Sequence, residues 1–443
     1  MGVGAQTTRM AEGHAYPRDL APFVRERWED VAQDRSGVAS GDPLPEPQVF
    51  ENLLSTCYQV SLLREEERPI AFRLILAEPE RFPPREGPPS GLHRLEFPEP
   101  RPFDIEELRQ LSPAADFYRS LVGVRLAEER GLEIWGLVHS GPRWLRSFEG
   151  GRGASQPLPP SPVLHVTGPG RIEVCKGPLT VAKLDEGRLS SSSRTVYDSK
   201  WLPDSFAPVR GELMDLHLAA REEAKEPWAK LDPDVTRKIA QHMVRRLIAT
   251  MRSSHHGGTV IIVPPDRTEE FSGKNRFIDI KYKFSEGEPR RRYRTLIVGI
   301  MNTLAEVYGG DGGSPKTIGW DEYEASGDEA LADLEEAIFE MSHLIAGLSA
   351  VDGAVVMTQR YELLGFGGEI SGALPSVRTV ARALDIEGEH VVKESTEGVG
   401  TRHRSAYRLC NALLEAIAVV VSQDGSVRWI KWKDGMVTYW DQA

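Results

Sequence analysis

The sequence has no long hydrophobic run and no amino-terminal segment of the secretory type. None of its 443 residues lies in a stretch that approaches the ~20 apolar residues needed by a membrane-spanning helix. The first twenty residues are polar and lack the apolar core of a signal peptide. We therefore expect a cytoplasmic protein that has no membrane partner.

Cysteine is also scarce. Only Cys57, Cys175 and Cys410 occur, and their spacing along the chain matches neither a zinc-ligand pattern nor a redox pair. Disulfides are rare in reducing compartments. The sequence therefore predicts three reduced, partly buried thiols.

Basic residues do not outnumber acidic ones. The chain carries 54 lysines and arginines against 66 aspartates and glutamates, which gives a formal net charge of −12. This balance gives no strong signal for nucleic-acid binding, which usually requires a basic face. Net charge describes long-range attraction rather than individual sites, so a local basic pocket is compatible with it.

What is present indicates a globular protein of more than one domain. Hydrophobic residues make up 40% of the chain and charged residues 27%, and the length favours two domains. We expect a flexible lead-in over residues 1–45 and an α+β domain over 46–205. Residues 206–443 alternate helix and strand patterns, which predicts an α/β domain with a mixed sheet and flanking helices.

Local patterns place several elements in the first domain. Tyr58–Leu63 and Ile70–Leu76 are apolar and flank a charged stretch, which predicts a β-hairpin. The many prolines of residues 79–103 predict a loop. Asp104 is a suitable N-cap for a helix that continues to about Leu121.

In the second domain, the β-branched run Thr259–Val263 and the apolar run Ala354–Met357 predict buried strands. Glu329–Leu348 has a helical pattern. Helices are also expected at Ser376–Leu384 and from Thr401 to about Leu414.

The segment Gly400-Thr401-Arg402-His403-Arg404 concentrates cations at a predicted helix start. Glycine allows a ligand to approach the backbone, and a helix amino terminus attracts anions. The two arginines have forked donors for phosphate oxygens, Thr401 adds a hydroxyl, and His403 is a possible metal ligand. The alternative is a solvated basic first turn, although basic residues are disfavoured there.

Two other short motifs each precede a predicted strand. Asp352 stands before Gly353 and Ala354, where a carboxylate could bind a divalent metal or accept a proton. Taken alone, an ordinary turn aspartate is the better interpretation. His256-Gly257-Gly258-Thr259 enters the other strand, where a tight turn is at least as good an explanation as a ligand contact.

Other candidates are weaker. Tyr308–Ser314 is glycine-rich but lacks the ending of a P-loop, so a flexible insertion is expected. Arg290–Arg294 is basic at four of five positions and is best explained as a solvated first turn.

Taken together, residues 230–441 resemble the diadenylate cyclase (DisA_N, or DAC) domain family. The matching motifs occur in the family's order: His256–Thr259, Asp352–Ala354, and Gly400–Arg404 followed by Ser405 and Ala406. The apolar run Ala418–Ser422 and its hairpin partner also fit. The amino-terminal part resembles, more loosely, the sensor modules that accompany some of these domains, and its ligand or partner is not indicated.

The resemblance implies a DAC-like fold and an enzymatic reaction. Two ATP molecules give cyclic di-AMP and two pyrophosphates with Mg²⁺ or Mn²⁺, each protomer of a face-to-face homodimer or higher oligomer holding one ATP. It further implies that Asp352 binds metal or activates the 3′-hydroxyl, and that Gly353 and Ala354 let the nucleotide approach. Gly400, Thr401, Arg402, His403 and Arg404 would hold the phosphates, with His403 also near the metal.

The sequence departs from the family's pattern in an insertion at 309–325, in the long stretch Glu369–Lys393 and at one position that bears on metal binding or turnover. Many members have Ser-Glu after the apolar run, whereas this chain has Ser422-Gln423. Three hypotheses therefore remain: an active cyclase regulated by the amino-terminal domain, a catalytically inactive adenine-nucleotide sensor that uses the same phosphate cradle, and an interaction protein that binds no nucleotide.

Overall fold

The structure of the protein is a computed structural model. It describes residues 14–29, 42–87, 91–117, 119–127, 131–140, 158–177, 179–185, 187–190, 195–225, 227–254, 256–273, 275–309, 317–423 and 425–442. These residues form two compact units, the first ending at Ser190 and the second beginning at Thr195. None of the described helices is both long enough and apolar enough to cross a membrane.

The described residues of the first unit form an eight-stranded sheet and three α-helices. The helices are α1 (Pro17–Arg25), α2 (Pro47–Ser61) and α3 (Ile105–Leu111). The strands are β1 (Arg64–Glu65), β2 (Arg68–Pro69), β3 (Phe72–Leu76), β4 (His93–Pro102), β5 (Ser120–Ala127), β6 (Gly131–His139), β7 (Pro162–Gly168), β8 (Arg171–Lys176), β9 (Leu179–Asp185) and β10 (Arg188–Ser190). The sheet order is β10-β9-β8-β7-β3-β5-β6-β4, and β1 and β2 form a separate two-stranded ribbon.

Three predicted elements of this unit are wrong for physical reasons. The helix predicted from Asp104 to about Leu121 ends at Leu111, and Leu121 lies in strand β5, which pairs with β3 and β6. Tyr58–Leu63 is largely helical, because Phe50, Leu53, Cys57 and Val60 form one buried face of α2. The proline-rich residues 93–102 form strand β4 instead of a loop. This strand lies at the edge of the sheet, and Pro98 and Pro100 fall in the irregular stretch between the paired residues Glu96 and Arg101; edge strands and bulges are where prolines are tolerated.

The prediction of a flexible lead-in over residues 1–45 is wrong for residues 14–29, which contain helix α1. Helix α1 buries Leu20 and Val24, and Trp28 follows at the same helical spacing and is also buried. This apolar stripe packs into the core that α1, α2 and one face of the sheet share. Residues 1–13 and 30–41 of that lead-in lie outside the described residues.

The second unit is a nine-stranded mixed sheet with helices against it. Its helices are α4 (Trp201–Ser205), α5 (Ala207–Glu223), α6 (Pro233–Ser253), α7 (Thr268–Ser272), α8 (Glu288–Val307), α9 (Trp320–Ala325), α10 (Glu329–Leu348) and α11 (Thr401–Ala412). Its strands are β11 (Lys230–Leu231), β12 (Gly258–Val263), β13 (Ile278–Lys283), β14 (Thr317–Ile318), β15 (Ala354–Thr358), β16 (Leu363–Ile370), β17 (Thr379–Ala383), β18 (Val391–Ser395), β19 (Ile417–Val421), β20 (Val427–Lys433) and β21 (Met436–Gln442). The sheet order is β13-β16-β15-β12-β19-β20-β21-β17-β18, and β11 pairs with β14 separately.

The prediction of a mixed α/β fold is confirmed, and its centre is the strand trio β15-β12-β19. Every residue of these strands is buried, because both faces are covered. Val260 and Ile262 face the core that contains residues of α6, α8 and α10, whereas Ile261 and Val263 face the core beneath α11. The two-residue alternation of a strand produces this division.

Two further differences concern the second domain. The predicted boundary at 205 lies inside the second unit, because Tyr197 and Trp201 pack edge-on against Trp429. The predicted helix at Ser376–Leu384 is strand β17, which pairs with both β18 and β21. Residues 310–316 of the expected glycine-rich insertion lie outside the described residues.

The double-sided burial of the central strands leads to a stability prediction. Val420→Ala on β19 removes a fully buried side chain and should lower the free energy of unfolding by about 2 kcal/mol, since each buried methylene contributes roughly 0.8 kcal/mol and a cavity remains. Chemical denaturation followed by tryptophan fluorescence measures the change. The same substitution at the 41% exposed Val392 on β18 is the matched control; equal effects at both positions would contradict the prediction.

Candidate functional site

Three motifs meet at one edge of the second unit's sheet. Strands β12 and β15 run parallel, with Val260 opposite Val355, so both strands begin at the same edge. Strand β19 runs antiparallel to β12, with Gly258 opposite Val421, so β19 ends there. The turn before β12, the turn before β15 and the segment after β19 therefore lie side by side.

Helix α11 presents its amino terminus without an internal cap. Gly400 occupies the N-cap position and has no side chain that could cap the helix, and the first turn contains no acidic residue. The first backbone bond of the helix runs from the amide of Arg404 to the carbonyl of Gly400 at 3.1 Å. The amides of the three preceding residues have no intrahelical acceptor and point out from the end of the helix, where they can bind an anion.

Arg402 joins this helix to the turn before β12. Its Nη1 atom donates to the carbonyl of His256 over 3.5 Å, a long and weak contact. A Cβ atom on Gly257 would lie only 2.6 Å from that Nη1 and 2.9 Å from the carbonyl oxygen of Val421. Gly257 also has a φ of +65°, a conformation that favours glycine. The close approach therefore requires glycine at this position.

The other residues of the first turn are available to solvent. Thr401 and Arg404 are exposed, and within the described part of the chain no carboxylate pairs with either Arg402 or Arg404. By contrast, several surface arginines of this unit pair with a carboxylate, as in the bidentate contact of Arg360 with Glu212. The amino terminus of α11 thus carries two cations whose charge is not offset by a neighbouring carboxylate.

His403 lies deeper than its neighbours. Its half-buried ring is centred 6.4 Å from the ring of Tyr407, one turn along α11. Burial raises the pKa of Tyr407, an effect that Arg428 partly opposes. Tyr407 therefore stays protonated at neutral pH and places an uncharged aromatic ring beside His403.

Asp352 and Gly353 form the turn between α10 and β15. Extending the β12–β15 register by three residues places Asp352 opposite Gly257. Gly353 has a φ of +111°, and a Cβ atom there would lie 2.6 Å from the backbone carbon of Gly367 on β16. The turn is therefore pressed against β16, while the side chain of Asp352 is exposed. Ala354 is buried as the first residue of the strand.

The structure thus places the three motifs, His256–Thr259, Asp352–Ala354 and Gly400–Arg404, at one edge of the sheet, but not all of them touch one another. Arg402, His256 and Gly257 are in direct contact, whereas Asp352 shares the edge and has no hydrogen-bond or ion-pair partner among the described residues. Asp352 and His403 belong to no cluster of three metal-ligating side chains in the described regions.

The structure also reveals an aromatic surface that the sequence analysis did not single out. Tyr282 on β13 stacks on Phe366 of β16 at 4.7 Å between ring centroids, and its side chain is 43% exposed. A Cβ atom on Gly367 would lie 3.3 Å from the Tyr282 ring. Because Gly367 also contacts Gly353, the aromatic pair borders the Asp352 turn. The glycines of Gly365–Gly368 are the sequence signal for this close packing.

Comparison with known proteins identifies one region. Residues 39–139 match the family described as "Probable sensor domain DACNV", a sensor module found at the amino terminus of DAC proteins. The match lies in the first unit and does not include the edge motifs. No curated protein and no solved structure matches the chain.

The close approach at Gly257 can be tested against a matched glycine. Gly257→Ala combines backbone strain with the collision against Arg402 and Val421, whereas Gly398→Ala has the strain alone, since its φ is +83° and nothing lies within 4 Å of its Cβ position. We expect Gly257→Ala to destabilise the unit by about 1–3 kcal/mol and Gly398→Ala by about 1 kcal/mol. Equal losses in chemical denaturation would show that neither of these two close contacts with Gly257 forms.

Proposed function

We propose that the second unit is a diadenylate cyclase, which condenses two ATP molecules into cyclic di-AMP and two pyrophosphates, and that the first unit regulates it. One observation carries this proposal. The uncapped, cationic amino terminus of α11 lies against the Gly257 turn, at the sheet edge where Asp352 is also exposed. The sensor-domain match in the first unit supports the regulatory part.

The amino terminus of α11 supplies the elements of a triphosphate site. Its free amides and the guanidinium groups of Arg402 and Arg404, neither of which has a carboxylate partner among the described residues, are donors for phosphate oxygens, and Thr401 adds a hydroxyl. Gly400 has no Cβ atom that would obstruct a phosphate next to the first turn. Cations placed where charge develops on departing pyrophosphate stabilise the transition state.

Asp352 has a suitable position for proton transfer. The 3′-oxygen of one nucleotide forms a bond to the α-phosphorus of the other, the bond to pyrophosphate breaks, and the hydroxyl proton passes to the carboxylate. The carboxylate is exposed at the edge, so a second protomer facing this edge would bring its own nucleotide within reach of Asp352. Holding the two nucleotides face to face supplies the effective concentration.

The residues at the edge fit a divalent ion that shares its ligands with the substrate. Mg²⁺ commonly uses one or two carboxylates together with phosphate oxygens and water. Asp352 would supply the carboxylate, and His403 lies on the first turn of α11; no third protein ligand joins them among the described residues. Such an ion, Mg²⁺ or Mn²⁺, would offset phosphate charge.

The exposed ring of Tyr282 would complete the nucleotide site. It stands on β13 beside Gly367, which in turn contacts the Asp352 turn. Stacking of a base on an aromatic ring is worth about 1–3 kcal/mol and needs no specific hydrogen bonds. We assign this surface to the adenine.

The activity and the role of Asp352 are tested together. Purified full-length protein incubated with ATP and either Mg²⁺ or Mn²⁺ should form cyclic di-AMP, detected by mass spectrometry. Asp352→Asn should lower the rate by about 10²–10⁴-fold, because it removes the proton acceptor and a metal ligand. Asp215→Asn, at an exposed aspartate of α5, is the matched control. Absence of product with either metal from folded, dimeric protein would refute the cyclase assignment.

A second candidate function is a catalytically inactive nucleotide sensor, and Gln423 is the observation that favours it. The backbone nitrogen of Gln423 lies 3.2 Å from the Cβ position of Gly257. Gln423, two residues after the end of β19, therefore lies next to the Gly257 turn. Where many related domains place a glutamate, Gln423 supplies no negative charge for a metal ion. The same cradle would then bind nucleotide without converting it.

Calorimetry distinguishes the sensor from the remaining hypotheses. We expect ATP binding that Arg402→Ala weakens by about 10–100-fold, since a hydrogen bond to a charged group contributes roughly 1.5–3 kcal/mol. Arg292→Ala on α8, whose guanidinium pairs with Glu288, is the control and should bind normally. Binding without product, together with product formation by Gln423→Glu, would favour the sensor. No binding at all would favour an interaction protein.

A further inference from the structure

A row of polar side chains crosses one face of the first unit's sheet. The strand register pairs Arg73 on β3 with His165 on β7, His165 with Glu173 on β8, and Glu173 with Lys183 on β9. Cys175 follows Glu173 by two residues and therefore projects from the same face. The row brings a histidine, a carboxylate and a thiol together although the sequence separates His165 from Cys175 by a turn.

The three potential ligand atoms are close to one another. His165 Nδ1 lies 3.7 Å from Glu173 Oε2, and the ligand atoms of His165, Glu173 and Cys175 all lie within 4.8 Å of one another. A tetrahedral zinc ion with bonds of about 2.0–2.3 Å holds its ligand atoms roughly 3.3–3.6 Å apart. Side-chain movements of about 1 Å would close the cluster around such an ion.

We propose that His165, Glu173 and Cys175 bind a divalent transition-metal ion of the zinc class. Imidazole, carboxylate and thiolate are the three ligand types that zinc uses in proteins, and three protein ligands leave a fourth position for water or another small ligand. Binding releases the thiol proton of Cys175 to solvent, since the thiolate is the ligand. This site is independent of the nucleotide chemistry proposed for the second unit.

The surroundings orient the carboxylate as a metal site requires. Thr180 donates to Glu173 Oε1 at 2.5 Å, and Lys183 Nζ lies 3.5 Å from the same oxygen. Oε1 is thereby held from one side, while Oε2 faces His165. The Thr180 hydroxyl also lies 3.8 Å from the sulfur of Cys175. Partners of this kind fix ligand orientation in metal sites.

Burial and charge fit the same assignment. Cys175 is fully buried and His165 is 6% exposed, and Cys175 packs with Ile75 and Val163 in an apolar cluster. Coordination would place two anionic ligands, a carboxylate and a thiolate, on this face. Their two negative charges would offset the +2 charge of the ion, and Arg73 and Lys183 stand at the two ends of the row.

Cobalt substitution tests the site with a signal that only a thiolate ligand produces. Full-length protein treated with chelator and then titrated with Co²⁺ should develop a sulfur-to-cobalt charge-transfer band that saturates at one ion per chain and is displaced by Zn²⁺. Cys175→Ser should lose the band, and His165→Ala should lose tight binding. Thr180→Val, at a positioning residue, should weaken affinity by about 10–100-fold and keep the band.

The other cysteines provide matched controls. Cys57→Ser and Cys410→Ser replace thiols that are equally buried but stand outside this cluster, and both variants should retain the band. Absence of the band in the unsubstituted protein would overturn the proposal whatever the variants do, and so would a band that persists in Cys175→Ser. Neither result depends on cyclase activity, since Asp352 and His403 contribute no sulfur.

Discussion

Burial from both sides is the constraint that organises the second unit. The strands β15, β12 and β19 have no exposed residue, so helices must cover each face of the sheet. Polar groups cannot lie within these strands without losing their hydration. The polar and glycine-rich segments must therefore emerge at the strand ends. Because β12 and β15 are parallel and β19 is antiparallel to them, three of those ends share one edge.

The close contact between α11 and this edge follows from the same packing. Ala406, Leu409 and Cys410 bury one side of the helix against the sheet, and this fixes where its amino terminus stands. Arg402 then reaches the turn at Gly257, where any side chain would collide with it. The result is a pair of cations at a helix amino terminus, which is electrostatically unfavourable unless an anion is nearby. A bound triphosphate would relieve this repulsion.

The first unit places polar groups on its sheet in a different way. One sheet face packs against α1 and α2 through a core of apolar residues, whereas the other carries the Arg73–His165–Glu173–Lys183 row beside an apolar cluster. Burying such groups is costly unless they are paired or bind an ion. A sensor unit with a metal-binding face would have a chemical input that is separate from the nucleotide, which gives the match to a sensor family a physical basis.

Local sequence determined those helices and strands for which the local residue pattern and the tertiary packing favour the same secondary structure. Thr259–Val263, Ala354–Met357 and the helix start at Thr401 could be predicted because β-branched runs, apolar periodicity and glycine act over a few residues. The motifs at His256–Thr259, Asp352–Ala354 and Gly400–Arg404 could be identified from the sequence for the same reason. Tertiary structure decided the rest: β17 is a strand because β18 and β21 pair with it, and residues 93–102 are a strand because an edge tolerates proline. The nearness of Asp352 to Gly257 and of His165 to Cys175 depends on strand register, which long-range packing sets and local sequence does not.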